Sequence, residues 1–256
     1  MNYFDTKTAA ERYSKGRPNF HHNIIRHIHD YLQPDKKIDK ALDVACGTGL
    51  STEALLEIAD CVYGTDSSQE MLNFASRSGR INYLVAPAEG QPFEDNYFDL
   101  ITVSSGVHWF DIDRFLKEAN RLLKNKSWLV LFENHFIAEM ENQEDFSNWF
   151  SGVYLKNYPS PPRNNEYPWT NENLNPKNFI LVKEERFKNT VAFTKKQLAL
   201  YFTTQSNIIS AVQSHQTTYE EVDNWLEKEL NLFFYKDDQV RKINFGNWIK
   251  FIRKSG

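Results

Sequence analysis

The stretch ALDVACGTG, from Ala41 to Gly49, constrains the fold of this chain more than any other segment. Its pattern predicts a buried strand over residues 40–45 that runs directly into a turn containing two glycines. Residues 50–58 follow with helix-forming composition and no internal breaker. Because the strand is apolar on both faces, it belongs in a sheet that helices cover on both sides. A glycine turn before a helix lets backbone N–H groups approach a ligand, and Asp43 adds a negative charge there.

Strand and helix signals alternate from this stretch to about residue 133. The further strands are predicted over residues 61–66, 81–85, 98–104 and 128–133. Such alternation is typical of an α/β fold with a Rossmann-like, doubly wound and mostly parallel sheet. Two helices are predicted before it, over residues 6–14 and about 20–32. We also expect Ser67 and Glu70 to form a capping box after the second strand.

The pattern changes in the second half of the chain. Residues 136–155 are predicted to be helical, and residues 158–176 are predicted to be irregular because they hold five prolines. Two late strands are predicted over residues 182–193 and 240–252, with helices over 194–213 and 218–234 between them. We expect the late strands to be antiparallel and to complete a sheet of about seven strands. The intervening segments would form a helical, aromatic-rich cap over the strand ends.

Charge and composition argue against several classes of partner. The chain has 256 residues and a net charge of −4, so we expect no binding to nucleic acid and no membrane association. No apolar run approaches the ~18 residues of a membrane span. Two cysteines, Cys46 and Cys61, are expected to be reduced thiols in a cytoplasmic protein. The histidines lack spacings typical of metal ligands, so no metal is predicted.

The glycine turn and the end of the second strand each allow more than one interpretation. A dinucleotide fingerprint would place its third glycine at position 52, where the chain has Thr52, so a nicotinamide cofactor is disfavoured. A plain tight turn is the structural alternative. Asp66, at the end of the second strand, could accept both hydroxyls of a ribose, or it could simply cap a helix.

Taken together, these residues resemble class I S-adenosylmethionine-dependent methyltransferases. Ala41–Gly49 with Asp66 look like motif I and its acidic partner. The APAE segment at residues 86–89 resembles the family segment that borders the adenine. Residues 98–110 resemble the fourth strand and its active-site loop. The family usually has glycine where this chain has Ala45, and we expect only a slight adjustment of the turn there.

A narrower resemblance involves the N-terminal segment. Tyr13 with the Arg17-Pro18-x-Phe20 segment, together with the His108-Trp109 pair, looks like the branch related to trans-aconitate methyltransferase. In that branch the N-terminal helices close over the cofactor. The resemblance therefore implies that Tyr13 and Arg17 border the methionine end of the cofactor. The alternative for Arg17 is a purely structural tie within its helix turn.

The resemblance implies S-adenosylmethionine as cofactor, with S-adenosylhomocysteine as product. Asp43 would face the methionyl amino group, directly or through water, and Asp66 would hold the ribose. Ala88 would donate its backbone N–H to an adenine nitrogen, and Glu89 would flank the exocyclic amine. The remaining positions implied to contact the cofactor are Ala45, Gly47, Gly49, Ser67, Met71 and Ser104. For Met71, ordinary helix packing is an equally good interpretation.

His108 and Trp109 are the candidate catalytic residues. Methyl transfer from a sulfonium mainly requires the acceptor, the methyl carbon and the sulfur to be held in line without water. His108 could transfer a proton, contact a ligand or fill space, and Trp109 could wall the pocket or pack in the core. Aromatic residues of the cap could line a pocket with Arg163 and Lys195, although packing is their commoner role: Trp149, Tyr154, Tyr158, Trp169, Tyr201 and Phe202.

The leading hypothesis is methyl transfer to a small molecule, with an oxygen of a small carboxylic acid as acceptor. Such a carboxylate needs no general base. The alternatives are a non-catalytic module that binds S-adenosylmethionine, and a methyltransferase acting on carbon or nitrogen of a metabolite. We expect one methyltransferase domain over residues 1–256, either monomeric or homodimeric. Within it, residues 1–39 would close over the cofactor, 40–133 would bind it, and 134–256 would form the cap and last strands.

Overall fold

The structure is a computed structural model that describes residues 4–33, 37–162, 167–236 and 238–256. Its strands are β1 (Ile38–Val44), β2 (Ala59–Asp66), β3 (Ile81–Val85), β4 (Phe98–Ser104), β5 (Leu123–Met140), β6 (Phe179–Thr194) and β7 (Val240–Lys254). They form one sheet in the order β3-β2-β1-β4-β5-β7-β6. Strands β1 to β5 pair in parallel. The predicted Rossmann-like sheet is confirmed.

The helices flank this sheet in the order that the alternation predicts. They are α1 (Lys7–Gly16), α2 (His21–Leu32), α3 (Leu50–Leu55), α4 (Gln69–Leu72), α5 (Ile112–Leu122), α6 (Asp145–Trp149), α7 (Leu155–Asn157), α8 (Asn171–Leu174), α9 (Lys195–Phe202), α10 (Ser206–Gln213) and α11 (Tyr219–Leu230). Side-chain caps fix several helix starts. Thr6 accepts a hydrogen bond from the N–H of Ala9, and Asp111 accepts one from Arg114.

The two last strands run antiparallel to each other. Near the start of β6, Lys250 of β7 donates a hydrogen bond to Glu184 over 2.6 Å. Six residues later in β6, Thr190 donates to Asn244, which lies earlier in β7 than Lys250. The residue numbers of the partners in β7 therefore fall as those in β6 rise, which is the pattern of an antiparallel ladder. The predicted antiparallel edge of the sheet is thereby confirmed.

The chain forms two compact units, each assembled from three separate segments. The glycine-turn unit consists of Asn19–Asn134, Arg163–Phe187 and Asn247–Gly256. The aromatic unit consists of Met1–Pro18, His135–Pro162 and Lys188–Gly246. The division of one domain at residues 39 and 133 stays a prediction.

The glycine-turn unit buries one apolar cluster on each face of its sheet. Leu42 and Val44 of β1 pack on one face with Phe115 of α5, whereas Ala41 faces the opposite cluster. That opposite cluster contains the apolar stripe of α2, namely Ile24, Ile25 and Ile28, all fully buried. Because side chains alternate along β1, they pack in turn against the helices on the two faces of the sheet.

The core of the aromatic unit is built from the cap aromatics. The rings of Tyr154 and Phe202 lie 4.6 Å apart, and those of Tyr201 and Phe202 lie 6.0 Å apart. Trp149, Tyr154, Tyr201 and Phe202 are all buried, and the hydroxyl of Tyr154 donates to Asn207 over 3.2 Å. These four residues therefore have the packing role. Arg163 lies outside the described residues.

Three local predictions are wrong. Residues 136–155 are not one helix, because β5 continues to Met140 and α6 begins only at Asp145. The backbone of Glu141 donates to Lys242, so pairing with β7 outweighs the local helical signal. The helix predicted over residues 194–213 is interrupted, because the hydroxyls of Thr203 and Thr204 bond the carbonyls of Leu200 and Tyr201. The helix cap predicted at Ser67 lies at Ser68 instead.

Candidate active site

The turn after β1 adopts three left-handed backbone conformations in five residues. The φ angles are +56° at Ala45, +57° at Gly47 and +82° at Gly49. Left-handed backbone is easy for glycine but costs an alanine roughly 1 kcal/mol. Gly106 faces Ala45, and a Cβ built on Gly106 would lie only 2.8 Å from the Cβ of Ala45. The adjustment expected at Ala45 is therefore a left-handed φ angle, which strains the alanine backbone. The facing glycine makes room for the alanine side chain because it has no Cβ of its own.

Asp66 holds the glycine turn to the end of β2. Its Oδ2 accepts the N–H of Gly47 over 2.8 Å, and its Oδ1 accepts the N–H of Ser68 over 2.9 Å. The residue is half-buried. Because a carboxylate has about four acceptor sites, each oxygen can accept a second hydrogen bond from a ligand hydroxyl.

Asp43 is completely buried beneath the turn. Its carboxylate accepts hydrogen bonds from Ser51 (2.6 Å) and Thr52 (2.8 Å) of α3 and from Thr102 (2.9 Å) of β4. Burial raises the pKa of Asp43 to about 6, although the three hydroxyls oppose that rise. Its carboxylate has no exposed surface, so in this conformation its charge can act on a ligand only through space or through water. The role toward the methionyl amino group stays a prediction.

Tyr83 packs against the glycine turn, and the sequence analysis did not identify this residue. A Cβ on Gly49 would lie 2.3 Å from the Tyr83 hydroxyl, and one on Gly64 would lie 2.7 Å from its ring. Gly64 of β2 pairs directly with Tyr83 of β3, so the missing side chain on one strand makes room for the ring on the next. The signal available in the sequence was a glycine inside a strand, which often marks close approach of another group. Burial raises the pKa of Tyr83, so it stays protonated.

Ser68, rather than the predicted Ser67, caps the helix after β2. Its hydroxyl accepts the N–H of Met71 over 3.2 Å, whereas Ser67 is exposed. The prediction is wrong by one residue because the carboxylate of Asp66 binds the N–H of Ser68 and positions that residue at the helix start. Met71 is buried, with its Cε 3.0 Å from a Cβ built on Gly47. The cofactor contacts of Ser67 and Met71 stay predictions.

Two loops border the carboxyl ends of the central strands. Ala88 is buried, and the carboxylate of Glu89 accepts the N–H of Asp111 over 2.9 Å, which joins the loop after β3 to the start of α5. Ser104 ends β4, and a 3-10 turn at Val107–Trp109 follows it. Since β1 and β4 are neighbouring parallel strands, this loop and the glycine turn lie at the same sheet edge.

The two candidate catalytic residues differ in exposure. His108 is 9% exposed and Trp109 is 39% exposed, and their ring centres lie 4.7 Å apart. An exposed indole at the carboxyl edge of a parallel sheet is available to a ligand, whereas the imidazole lies mostly inside the loop. Their catalytic roles stay predictions.

Tyr13 and Arg17 belong to the aromatic unit. Arg17 donates to the backbone carbonyl of Thr204 over 3.1 Å, and its guanidinium lies 4.6 Å from the ring of Tyr13 and 5.1 Å from that of Tyr201. These contacts give Arg17 a structural role within that unit. Contact of Tyr13 and Arg17 with a cofactor stays a prediction.

The described chain contains no cluster of metal ligands and no membrane-spanning helix. Its histidines, cysteines and carboxylates form no group of three or more that could hold a metal ion within residues 4–33, 37–162, 167–236 and 238–256. Among the same residues, no helix has the length and apolar character needed to cross a membrane.

Comparison with known proteins finds similarity to methyltransferases. Residues 42–131 match the family described as "methyltransferase domain". The demethylmenaquinone methyltransferase of Thermotoga maritima is 36% identical over 124 residues, which is 47% of this chain and 52% of that protein. A ubiquinone/menaquinone biosynthesis C-methyltransferase of Geotalea daltonii is 39% identical over 108 residues, covering 37% of this chain and 45% of that protein. The chain thus spans about half the length of the curated relatives that it matches.

Solved structures share the fold over nearly the whole chain. A structure described as a type II methyltransferase from Anaeromyxobacter dehalogenans has a TM-score of 0.69 at 18% identity, covering 93% of this chain and 97% of that one. Phosphoethanolamine N-methyltransferase 2 of Haemonchus contortus, solved with S-adenosyl-L-methionine, has a TM-score of 0.55 at 19% identity, covering 100% of this chain and 60% of that one. The narrower trans-aconitate resemblance stays a prediction.

Proposed function

We propose that this protein, whose residues 42–131 match the methyltransferase-domain family, transfers a methyl group from S-adenosylmethionine to a small-molecule acceptor. One observation carries the proposal. The half-buried carboxylate of Asp66 is held at the carboxyl end of β2 by the N–H groups of Gly47 and Ser68. It is therefore preorganised beside a turn whose glycines let backbone approach a ligand.

The residues at this sheet edge fit the cofactor. Asp66 has acceptor sites for the two ribose hydroxyls, and the left-handed Gly47 and Gly49 leave the turn without side chains. Ala88 and Glu89 lie on the loop that would border the adenine. When bound, the cofactor supplies a methyl group on a positively charged sulfur. The buried negative charge of Asp43 favours a positive group near the turn.

This chain's contribution to the transfer is positioning and exclusion of water. The exposed ring of Trp109 would cover the acceptor, and His108 beside it would hydrogen-bond or move a proton where the acceptor needs one. The acceptor that we propose is an oxygen of a small carboxylic acid. A relative named as a quinone-biosynthesis C-methyltransferase and a structural neighbour named as a phosphoethanolamine N-methyltransferase make carbon and nitrogen acceptors the alternatives to test.

Binding of S-adenosylmethionine to an Asp66→Asn variant tests the cofactor site. The amide cannot accept two N–H groups and two hydroxyls, so we expect affinity to fall at least about tenfold, since hydrogen bonds to charged groups contribute roughly 1.5–3 kcal/mol. Calorimetric titration measures this. Asp60→Asn, an exposed position on the same strand, is the matched control and should bind like the wild type.

Turnover is measured separately on a panel of small carboxylic acids, phenols and amines. Production of S-adenosylhomocysteine with an acid is the expected result. Wild-type protein that binds no cofactor at saturating concentration would refute the proposal. Cofactor binding without turnover of any acceptor would instead favour a non-catalytic binding module.

A further inference from the structure

The amide of Asn134 is a buried polar group that the fold does not satisfy. Asn134 lies in β5 and is only 5% exposed. Neither its Nδ2 nor its Oδ1 has a hydrogen-bond partner within the described chain. Burying an amide without partners costs several kcal/mol in an apolar environment, so such groups are rare in native proteins. Asn134 therefore needs an explanation that packing does not give.

The position of Asn134 is at the sheet edge that carries the site. Phe132, two residues earlier, pairs with Ser104, the last residue of β4. Beyond that pair β4 gives way to the loop that bears His108 and Trp109. Asn134 therefore lies two residues beyond the last β4–β5 pair, at the end of the sheet where the proposed acceptor would bind.

Strand register also places Asn134 on a particular face. Val130 pairs with Thr102, which in turn pairs with Asp43. Side chains alternate along a strand, so Asn134 shares its face with Val130 and with the buried carboxylate of Asp43. Val130 and Phe132 on this face belong to a buried apolar cluster, so Asn134 is a polar group just beyond the apolar part of the strand.

We propose that Asn134 binds the methyl acceptor through a hydroxyl group, an inference that rests on the proposed function. An amide offers two N–H donors and a carbonyl acceptor. A carboxylate only accepts, so it would leave the Oδ1 of Asn134 unsatisfied. A hydroxyl both donates and accepts, and it satisfies both ends of the amide. The acceptor class is therefore a small acid that also carries a hydroxyl group.

The test uses Asn134→Leu, which keeps the size of the side chain but removes its polar atoms. Without a ligand, this variant should melt about 2–4 °C above the wild type, because it no longer buries an unsatisfied amide. Binding is then measured by calorimetry on protein saturated with S-adenosylhomocysteine. The probes are matched pairs that differ by one hydroxyl: malate and succinate, citrate and propane-1,2,3-tricarboxylate, salicylate and benzoate.

We expect the wild type to prefer the hydroxylated member of at least one pair by tenfold or more. Asn134→Leu should reduce that preference below twofold while S-adenosylhomocysteine affinity stays unchanged. Asn125→Leu, at an exposed position of the same strand, should leave the hydroxyl preference intact.

Three results would overturn the inference. Asn134→Leu could lower the melting temperature, which would mean that a trapped water already satisfies the amide. The hydroxyl preference could persist in that variant, or the wild type could bind the pairs equally or not at all. Hydroxyl-selective binding that depends on Asn134 without any methyl transfer would refute the proposed function and leave Asn134 only as the binding residue for a hydroxylated acid. Methyl transfer without any preference for hydroxylated acids would support the proposed function and refute this inference.

Discussion

At the residue scale, Asp43 shows how a buried charge makes stability depend on pH. Its pKa is about 6 in the folded chain and about 3.9 in an unfolded one. The folded protein therefore binds an extra proton between pH 4 and 6. Its contribution to stability is fully present below pH 4 and is lost as the pH rises through 6. At pH 7 the free energy of unfolding is therefore lower by about 3 kcal/mol than it is below pH 4, as far as this group is concerned.

An Asp43→Asn variant should lack this pH dependence. We expect its free energy of unfolding to rise relative to that of the wild type by about 3 kcal/mol between pH 4 and 7, because the amide never ionises. Urea unfolding at pH 4, 5, 6 and 7 measures the difference. The exposed variant Asp60→Asn should show no such trend. Parallel curves for Asp43→Asn and wild type would contradict the assignment.

Sequence reasoning found residues whose type and spacing imply a role, and it missed those whose role depends on neighbours far along the chain. Asp43, Gly47, Gly49 and Asp66 were identified from one strand-turn pattern and one strand end. Tyr83 was missed because its contact with Gly49 depends on the register of β2 and β3. The orphaned amide of Asn134 likewise depends on what surrounds it in three dimensions, which no local pattern encodes.

At the scale of elements, the glycine turn and β3 are coupled through one contact. In Gly49→Ala the new Cβ would meet the Tyr83 hydroxyl at 2.3 Å, and φ of +82° strains any side chain there. We expect a loss of about 2–4 kcal/mol in unfolding free energy, from strain and overpacking together. Tyr83→Phe removes the hydroxyl, so the double variant should lose about 1 kcal/mol less than the two single variants summed.

Urea unfolding of the four proteins completes this cycle. Gly79→Ala is the control, because a Cβ at Gly79 has no atom within 4 Å and should change stability little. If the effects of Gly49→Ala and Tyr83→Phe on the unfolding free energy were strictly additive, the new Cβ would not contact the Tyr83 hydroxyl. The turn would instead have moved away from β3.

Helices and strands were predictable where the local sequence pattern and the tertiary packing partner favour the same structure. The bounds of β3 and β4 match the prediction, because each is a short apolar run between clear breaks. The extension of β5 to Met140 was not predictable, since residues 136–140 are strand only because β7, about a hundred residues later, pairs with them. Pairing partners that distant leave no mark on local periodicity.

At the scale of the whole molecule, the last residues complete a core that begins more than two hundred residues earlier. Ile249 and Phe251 belong to the cluster that contains Ile24 of α2, and Ile252 belongs to the opposite cluster with Leu42. All three are fully buried. Lys254 closes the end of α5 by donating to the carbonyls of Asn120 and Leu123, each over 2.7 Å.

Removing residues 247–256 should therefore abolish cooperative folding. Each of the three apolar side chains contributes about 1.5–3 kcal/mol by burial, and together they approach the 5–15 kcal/mol that stabilises a typical domain. Near-ultraviolet circular dichroism and urea unfolding should show no native transition in the truncated chain. Removing only residues 255–256 breaks one backbone hydrogen bond, from Ser255 to Asn178, and should leave folding cooperative. A cooperative transition without residues 247–256 would show that the segment through Asn134 builds its core alone, which its incomplete clusters argue against.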